Sequence, residues 1–230
     1  MMFLAPIKRI IPKYIKKHLR EAHRRYVFDR SIKEFAALKK GSLPQSGLLS
    51  NLVYGWGNEG YSAETEYLSS LTERALNARG PILECGSGLS TVLLGLIAKR
   101  TGNPVWTLEH HPEWAERVQS VVTGLGLDSV QLCVAPLRNF QEFDWYDVPL
   151  EKMPANFQLV ICDGPPGDTR GGRYGMLRVM HDFLSPGCTI LLDDAAREDE
   201  RATLDKWAQE LGSSFEIEGS GKPYAVLVVP

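Results

Sequence analysis

The sequence predicts a doubly wound α/β fold, with a mostly parallel seven-stranded sheet that ends in an antiparallel hairpin and a helical extension before it. Three observations carry this expectation. Short continuous apolar runs such as Leu159-Val160-Ile161-Cys162 read as strands covered by helices on both faces. Those runs alternate with stretches of helical periodicity. The chain then finishes with two strand-like runs, 214–218 and 224–229, joined by the turn Gly219-Ser220-Gly221-Lys222-Pro223.

A chain of 230 residues supports one sizeable domain and an appendage, here 61–230 as the domain and 1–60 as a basic helical extension with a loop. The net charge of −2 hides an asymmetry: residues 1–40 hold 12 Lys/Arg against 3 Asp/Glu, and residues 41–230 hold 14 against 25. The acidic body argues against a nucleic-acid substrate. No apolar run approaches the roughly 20 residues of a membrane span, and the N-terminus lacks the apolar segment of a signal peptide. Cys85, Cys133, Cys162 and Cys188 show no CxxC spacing and fall in strand-like runs. They are expected to be buried free thiols of a reducing compartment, placing the protein in the cytoplasm.

In chain order, residues 6–40 read as one or two helices. Ile15, Leu19, Ala22 and Tyr26 recur at helical spacing, and Lys13, Lys16, Lys17, Arg20, Arg24 and Arg25 take the other faces. Such a helix suits an anionic membrane surface, a second subunit (a homo-oligomer), or the acidic body itself. Residues 41–61 are rich in Gly, Ser and Asn with Tyr54, Trp56 and Tyr61 embedded, and read as a loop: a mobile lid with Trp56 over the substrate, or a plain connector. A helix follows with Ser62 as N-cap and Glu64 and Glu66 in its first turn, ending near Arg79-Gly80. Strands are expected at 81–85, 104–108, 129–134, 157–163 and 188–193. Helices are expected near 89–100, 111–124, 174–184 and 197–211.

The stretch around which these elements are organised is Glu84-Cys85-Gly86-Ser87-Gly88: an acid at a strand end, a turn that small residues permit, and a helix N-terminus beyond it. In a doubly wound sheet the ligand sits at the carboxyl ends of the strands, and further acids are expected there at Glu109, Asp163 and Asp193-Asp194. A dinucleotide site wants a third glycine where Thr91 stands, and would set a phosphate beside Glu84, which repels it.

This motif resembles the first motif of class I S-adenosylmethionine-dependent methyltransferases, and Glu109, ending Val105-Trp106-Thr107-Leu108, matches the acid those enzymes carry after their second strand. The resemblance covers about 62–230 and implies S-adenosylmethionine as cofactor. It implies that Gly86 and Gly88 allow close backbone approach to the methionine part, with Glu84 nearby and Ser87 and Ser90 in the same turn. Glu109 would accept the ribose hydroxyls, His110 would pack on adenine, Ala135 would lie along its edge, and Asp163 would touch the cofactor.

Asp163, Asp193 and Asp194 end neighbouring strands, and three packed carboxylates repel unless a cation sits among them. The cluster is similar to that of metal-dependent O-methyltransferases and implies Mg²⁺; the alternative is helix capping by Asp193 or Asp194 and loop or cofactor contacts by Asp163. The candidates for a base are Asp163, His181 on the 174–184 helix, and Asp168. Arg170 and Arg173, in a glycine-rich loop, could clamp a carboxylate or phosphate on the acceptor or simply be solvated. Asp163-Gly164-Pro165-Pro166-Gly167 is also similar to a signature of polysaccharide glucuronate O-methyltransferases. The Asn/Asp-Pro-Pro-aromatic signature of amino-group methylation is absent. The expected function is therefore methyl transfer to oxygen on a small hydroxylated, sugar-like or uronic-acid acceptor. The alternatives are an aminopropyltransferase-like enzyme and a non-catalytic cofactor-binding protein docked through its basic helix.

Overall fold

A computed structural model describes residues 12–39, 41–58 and 63–230. The first residues of the expected N-terminal helix, Tyr61 and the expected cap Ser62 lie outside the described residues. Helix α1 (Lys13–Ala36) buries Ser31, Ile32 and Phe35 near its end, and His23 and Phe28 reach Tyr54 and Trp56 from its middle. Tyr14, Ile15, Leu19 and Tyr26 stand exposed among its basic residues.

Residues expected to be loop form a second helix, α2 (Ser46–Trp56). Its Gly, Ser and Asn residues have poor helix propensity, but Leu48, Leu49, Leu52 and Trp56 fall on one helical face and are buried, and tertiary burial overrides propensity. Fully burying side chains such as Leu49 and Leu52 contributes about 1.5–3 kcal/mol each. Gly55 is required where α2 meets α1, since a Cβ there would lie 2.8 Å from the Phe28 backbone. Helix α3 (Thr65–Asn77) starts with Glu64, not Ser62, at the cap and Glu66 in its first turn.

The expected strand–helix alternation follows: β1 (Ile82–Cys85), α4 (Leu89–Thr101), β2 (Val105–Glu109), α5 (Pro112–Gly124) and β3 (Val130–Val134). Two short strands with no sequence-level expectation, β4 (Leu137–Asn139) and β5 (Asp144–Tyr146), pair antiparallel apart from the main sheet. Then come β6 (Phe157–Cys162), α6 (Gly175–Met180), β7 (Leu184–Leu192), α7 (Glu198–Leu211), β8 (Phe215–Glu218) and β9 (Tyr224–Val228). The helix expected over 174–184 is shorter because residues 181–183 form a 3-10 turn and β7 begins at Leu184.

The sheet has the order β3-β2-β1-β6-β7-β9-β8, parallel through β7, with β9 and β8 as the antiparallel end hairpin. Alternate residues of a strand face opposite sides. Leu159 and Ile161 join the core under α2–α5, whereas Val160 and Cys162 join the core under α6, α7 and the β4–β5 hairpin. Cys85, Cys162 and Cys188 are buried free thiols and Cys133 is half-buried. Strand order reverses between β1 and β6. Register is what builds the site: Cys85 pairs with Leu108 on one side and Cys162 on the other, and Cys162 pairs with Leu192. Gly86, Glu109, Asp163 and Asp193 therefore leave the sheet at one level, along one edge. None of the described helices is long and apolar enough to cross a membrane.

Candidate active site

The turn after β1 is held from below. Glu84 is fully buried, and its Oε2 accepts from the hydroxyls of Thr91 and Thr107, each at 2.7 Å. Thr91 Oγ1 accepts in turn from the Gly88 N–H at 2.9 Å, so the residue standing where a dinucleotide motif has glycine ties the acid to the turn. Burial pushes the Glu84 carboxyl up to about 7, with Ser90, Thr107 and Thr91 opposing it. Glu84 thus shapes the turn from within instead of projecting beside the ligand, and its Oε1 has no hydrogen-bond partner. Gly86 takes φ +90°, and a Cβ there would lie 2.9 Å from the Gly164 nitrogen. Over Gly88 a Cβ would meet nothing within 4 Å. That open space above exposed backbone is the cradle a cofactor would fill.

Glu109 locks the turn from the side. Its Oε2 accepts from the Ser87 N–H (3.0 Å) and hydroxyl (2.8 Å), and its Oε1 accepts from the His111 N–H at 2.9 Å. His110 Nδ1 lies 3.1 Å from Oε1 without hydrogen-bond alignment, and the ring stands edge-on to Tyr146 with centroids 6.2 Å apart. The Trp114 indole donates to Ser87 O at 2.8 Å, and the buried Ala135 donates its N–H to Glu109 O. Glu84, Gly86, Ser87, Gly88 and Ser90 accordingly lie in or under one turn, with Glu109 and His110 beside it at the end of β2 and Ala135 one strand farther, after β3. The fit to S-adenosylmethionine rests on the open cradle and on an acceptor-only carboxylate beside it.

Across the switch point, Asp163, Asp193 and Asp194 bring carboxylate oxygens within 4.8 Å of one another. The place between them is already taken by cations. Lys222 Nζ lies 2.9 Å from Asp193 Oδ2 and 2.9 Å from Asp194 Oδ1. Arg173 is 3.2 Å from Asp163, 3.2 Å from Asp194 and 3.4 Å from Glu200, and also donates to the main-chain oxygens of Asp163 and Asp193. Arg197 reaches Asp194 Oδ2 at 2.9 Å from the rim. Burial works against charge on Arg173, but Asp163, Glu200 and Asp194 outweigh it and raise its pKa. Burial likewise opposes charge on Lys222 and is outweighed by Asp193 and Asp194, so the ammonium is kept. Asp194, despite burial, is held below the usual carboxylate range by Lys222, Arg173 and Arg197. Four carboxylates meet three cations; burial, with Asp193 and Asp194, raises the pKa of Asp163 against Arg173, and burial likewise raises that of Glu200. The residues present do not fit the expected Mg²⁺, because its charge and its coordination sites are already supplied by Lys222 and Arg173.

Three further expectations are corrected. Arg173 is 2% exposed and spent on the cluster, and Arg170 is paired with Asp144 at 2.7 Å, tying its loop to β5, so neither is held ready for an acceptor anion. Trp56 is no lid residue: it is buried at the end of α2 against Phe28 and Trp114. His181 lies past the end of α6, beside the start of β7, and Leu184 pairs with Phe157 at the amino end of β6. Five residues at about 3.3 Å each put roughly 16 Å of strand between that level and the acids. Its ring meets Asp182 at the surface instead. Asp168 is exposed on the turn after Asp163.

Sequence reasoning missed Lys222, Arg197 and Glu200. The signal for Lys222 was the topology itself, since the β8–β9 turn must return to the carboxyl end of β7. Two hollows of about 380 and 330 Å³ lie elsewhere, one lined by Arg79, Gln158 and Gly187 and the other by Ser69, Arg74 and Glu218. Neither includes the glycine turn or the aspartates.

Residues 83–195 match the family model described as a methyltransferase domain. No curated protein matches the sequence. Among solved structures, the chain resembles an SAH-bound methyltransferase of Podospora anserina, at 14% identity over the whole of both chains with a TM-score of 0.57. It also resembles the O-methyltransferase from Bacillus cereus in complex with SAH, at 15% identity over 93% of this chain and 99% of that one, with a TM-score of 0.56. A SAM-dependent O-methyltransferase from Thermotoga maritima aligns at 15% identity over 73% of this chain and 66% of that one, with a TM-score of 0.54. At these identities the structural likeness speaks for the fold. The glycine turn, Glu109 and the strand-end aspartates all fall inside the matched residues, and the sheet order with its antiparallel end hairpin is that of the class I methyltransferase fold.

Proposed function

We propose that this enzyme methylates a hydroxyl oxygen on a small, sugar-like or otherwise hydroxylated acceptor. One observation carries the reading. The carboxylate of Asp163, 27% exposed and the most open of the three, stands immediately across from the cofactor turn, where Gly86 and Gly164 nearly touch. S-adenosylmethionine, when bound, supplies an electrophilic methyl group on a sulfonium, so the remaining need is an aligned oxygen and a base for its proton. Glu109 and the Ser87–Gly88 backbone would orient the donor. Asp163 would accept a hydrogen bond from the acceptor hydroxyl and then take up its proton, and its raised pKa suits it to that task. The O-methyltransferases of Bacillus cereus and Thermotoga maritima support this reading by likeness of fold. A carboxylate-bearing acceptor such as a uronic acid would meet Arg197, 54% exposed at the rim, in place of the engaged Arg170 and Arg173.

An aminopropyltransferase-like activity fits less well, because Lys222 and Arg173 already stand among the acids where a diamine would have to sit. The exposed basic face of α1 supports peripheral attachment to an anionic membrane surface as an addition to catalysis, not a replacement for it. The buried free thiols support a reducing, cytoplasmic setting.

Methyl-labelled S-adenosylmethionine incubated with sugars, uronic acids, phenols and amines should give labelled ethers and S-adenosylhomocysteine; label on nitrogen alone would overturn the oxygen assignment. Calorimetry should show binding of S-adenosylmethionine but not of NAD. Glu109→Ala should weaken that binding by roughly 10- to 100-fold, the scale of hydrogen bonds to a charged group. Unchanged affinity would remove Glu109 from the ribose.

A further inference from the structure

We propose that Lys222 is the resident cation of the acceptor half: its ammonium stands in for a divalent metal among the strand-end aspartates, and its remaining N–H contacts the acceptor oxygen. The identity of that oxygen rests on the O-methylation reading above; the substitution of lysine for metal does not.

Lys222 sits on the β8–β9 turn, and that turn is clamped from two sides. Glu66, in the first turn of α3, accepts from the Ser220 N–H and hydroxyl, each at 2.6 Å, and from the Gly221 N–H at 3.4 Å. On the other side the Ala195 N–H donates to Pro223 O at 2.9 Å. Gly219 takes φ +89°, and a Cβ there would press within 2.9 Å of Lys222 O, so the turn depends on glycine at that point. A solvated lysine needs no such clamp.

The charge arrangement then assigns the role. An ammonium has three N–H donors. Two are directed at Asp193 Oδ2 and Asp194 Oδ1, both at 2.9 Å, bridging two carboxylates as a metal ion would. Asp193 is fully buried, its Oδ1 has no hydrogen-bond partner, and among the described residues Lys222 is the one cation paired with its carboxylate. Arg173 is closed off at 2% exposure, whereas the Lys222 side chain keeps 32%. Of the two cations inside the cluster, Lys222 is the one with a donor left and a path to the opening. A single positive charge polarises a hydroxyl less than a divalent ion does, so Asp163 is still needed as the base.

The test compares Mn²⁺ binding, followed by electron paramagnetic resonance, in wild type and Lys222→Met, both loaded with S-adenosylmethionine. Wild type should show no saturable Mn²⁺ site. Lys222→Met, with Asp193 and Asp194 unmatched, should bind Mn²⁺ at least about tenfold more tightly, the scale on which one close charge acts on a carboxylate site. Equal binding by the two proteins, abolished by Asp193→Asn, would overturn the proposal. If Lys222→Met does not fold, wild type alone decides: a saturable site lost in Asp193→Asn refutes the proposal, and its absence supports it. With an acceptor found in the panel above, wild-type turnover should be indifferent to EDTA. Turnover of Lys222→Met should be lost in EDTA and partly restored by Mn²⁺, and Lys222→Arg should retain part of it without metal. A wild type inactivated by EDTA and restored by Mn²⁺ would overturn the proposal. Failure of every acceptor would count against O-methylation and leave the Mn²⁺ comparison intact.

Discussion

The two halves of the strand-end edge solve the same problem, buried carboxylates, in opposite ways. In the cofactor half, Glu84 and Glu109 are met almost wholly by neutral donors: the hydroxyls of Thr91, Thr107 and Ser87 and the N–H groups of Ser87 and His111. In the acceptor half, Asp163, Asp193, Asp194 and Glu200 are met by Arg173, Lys222 and Arg197. Neutral donors fix the shape of a turn and leave a carboxylate able to accept from a ligand. Cations cancel charge but make each group depend on its partner. The difference shows that a cluster of acids at a strand edge says nothing about metal until its cations have been found.

The sharpest way to break this comparison is Arg173→Met. It leaves three buried or half-buried carboxylates short of a partner, and removing one member of a buried ion pair costs about 3–5 kcal/mol. Urea denaturation should show a loss on that scale, whereas a loss under about 1 kcal/mol would mean the cluster is not charge-coupled.

The cofactor half should respond to pH instead. Glu84 has its folded pKa raised to about 7 from 4.5, so the folded state holds the extra proton between those values. Its contribution to stability is present below about 4.5 and is lost as pH rises through about 7. Glu84→Gln should remove that slope. The stability difference between wild type and variant should shift by about 2–3 kcal/mol between pH 5 and pH 8. A pH-independent difference would mean that the hydroxyls keep Glu84 ionised throughout.

The smallest effect is expected outside both halves. Arg170 and Asp144 form a partly exposed pair, with side-chain exposures of 46% and 31%, and Arg170→Ala should cost no more than about 1 kcal/mol. Methylation that fails in Arg170→Ala at unchanged stability would return this arginine to the acceptor site.

How much of this could be read from the chain follows from where each signal resides. Strands such as Leu159–Cys162 were readable because burial on both faces leaves an unbroken apolar run. The cofactor half was readable because its acids lie close in sequence to the glycine turn and to a strand end. Helix α2 was hidden because Gly, Ser and Asn outweighed, in local propensity, four apolar residues that only the neighbouring helices could bury. The β4–β5 hairpin, with strands of three residues each, is too short to show a period. The acceptor half was read as metal-binding because its acids lie at strand ends and its cations do not. Arg173 sits in a glycine-rich loop and Lys222 in a hairpin turn, two contexts that suggest solvent. Glu200 stands in the first turn of α7, a position at which an acid is ordinary for helix-dipole reasons.

The β8–β9 turn has one more consequence, for where the charge balance of the strand edge comes from. Lys222 is the last residue of the strand-end cluster in chain order, so Asp193 gains its cation only through the end hairpin, whereas Asp163 and Asp194 meet Arg173 from within the preceding loop. The contacts of that hairpin with Glu66 and Ala195 are therefore also what completes the charge balance of Asp193, two elements away.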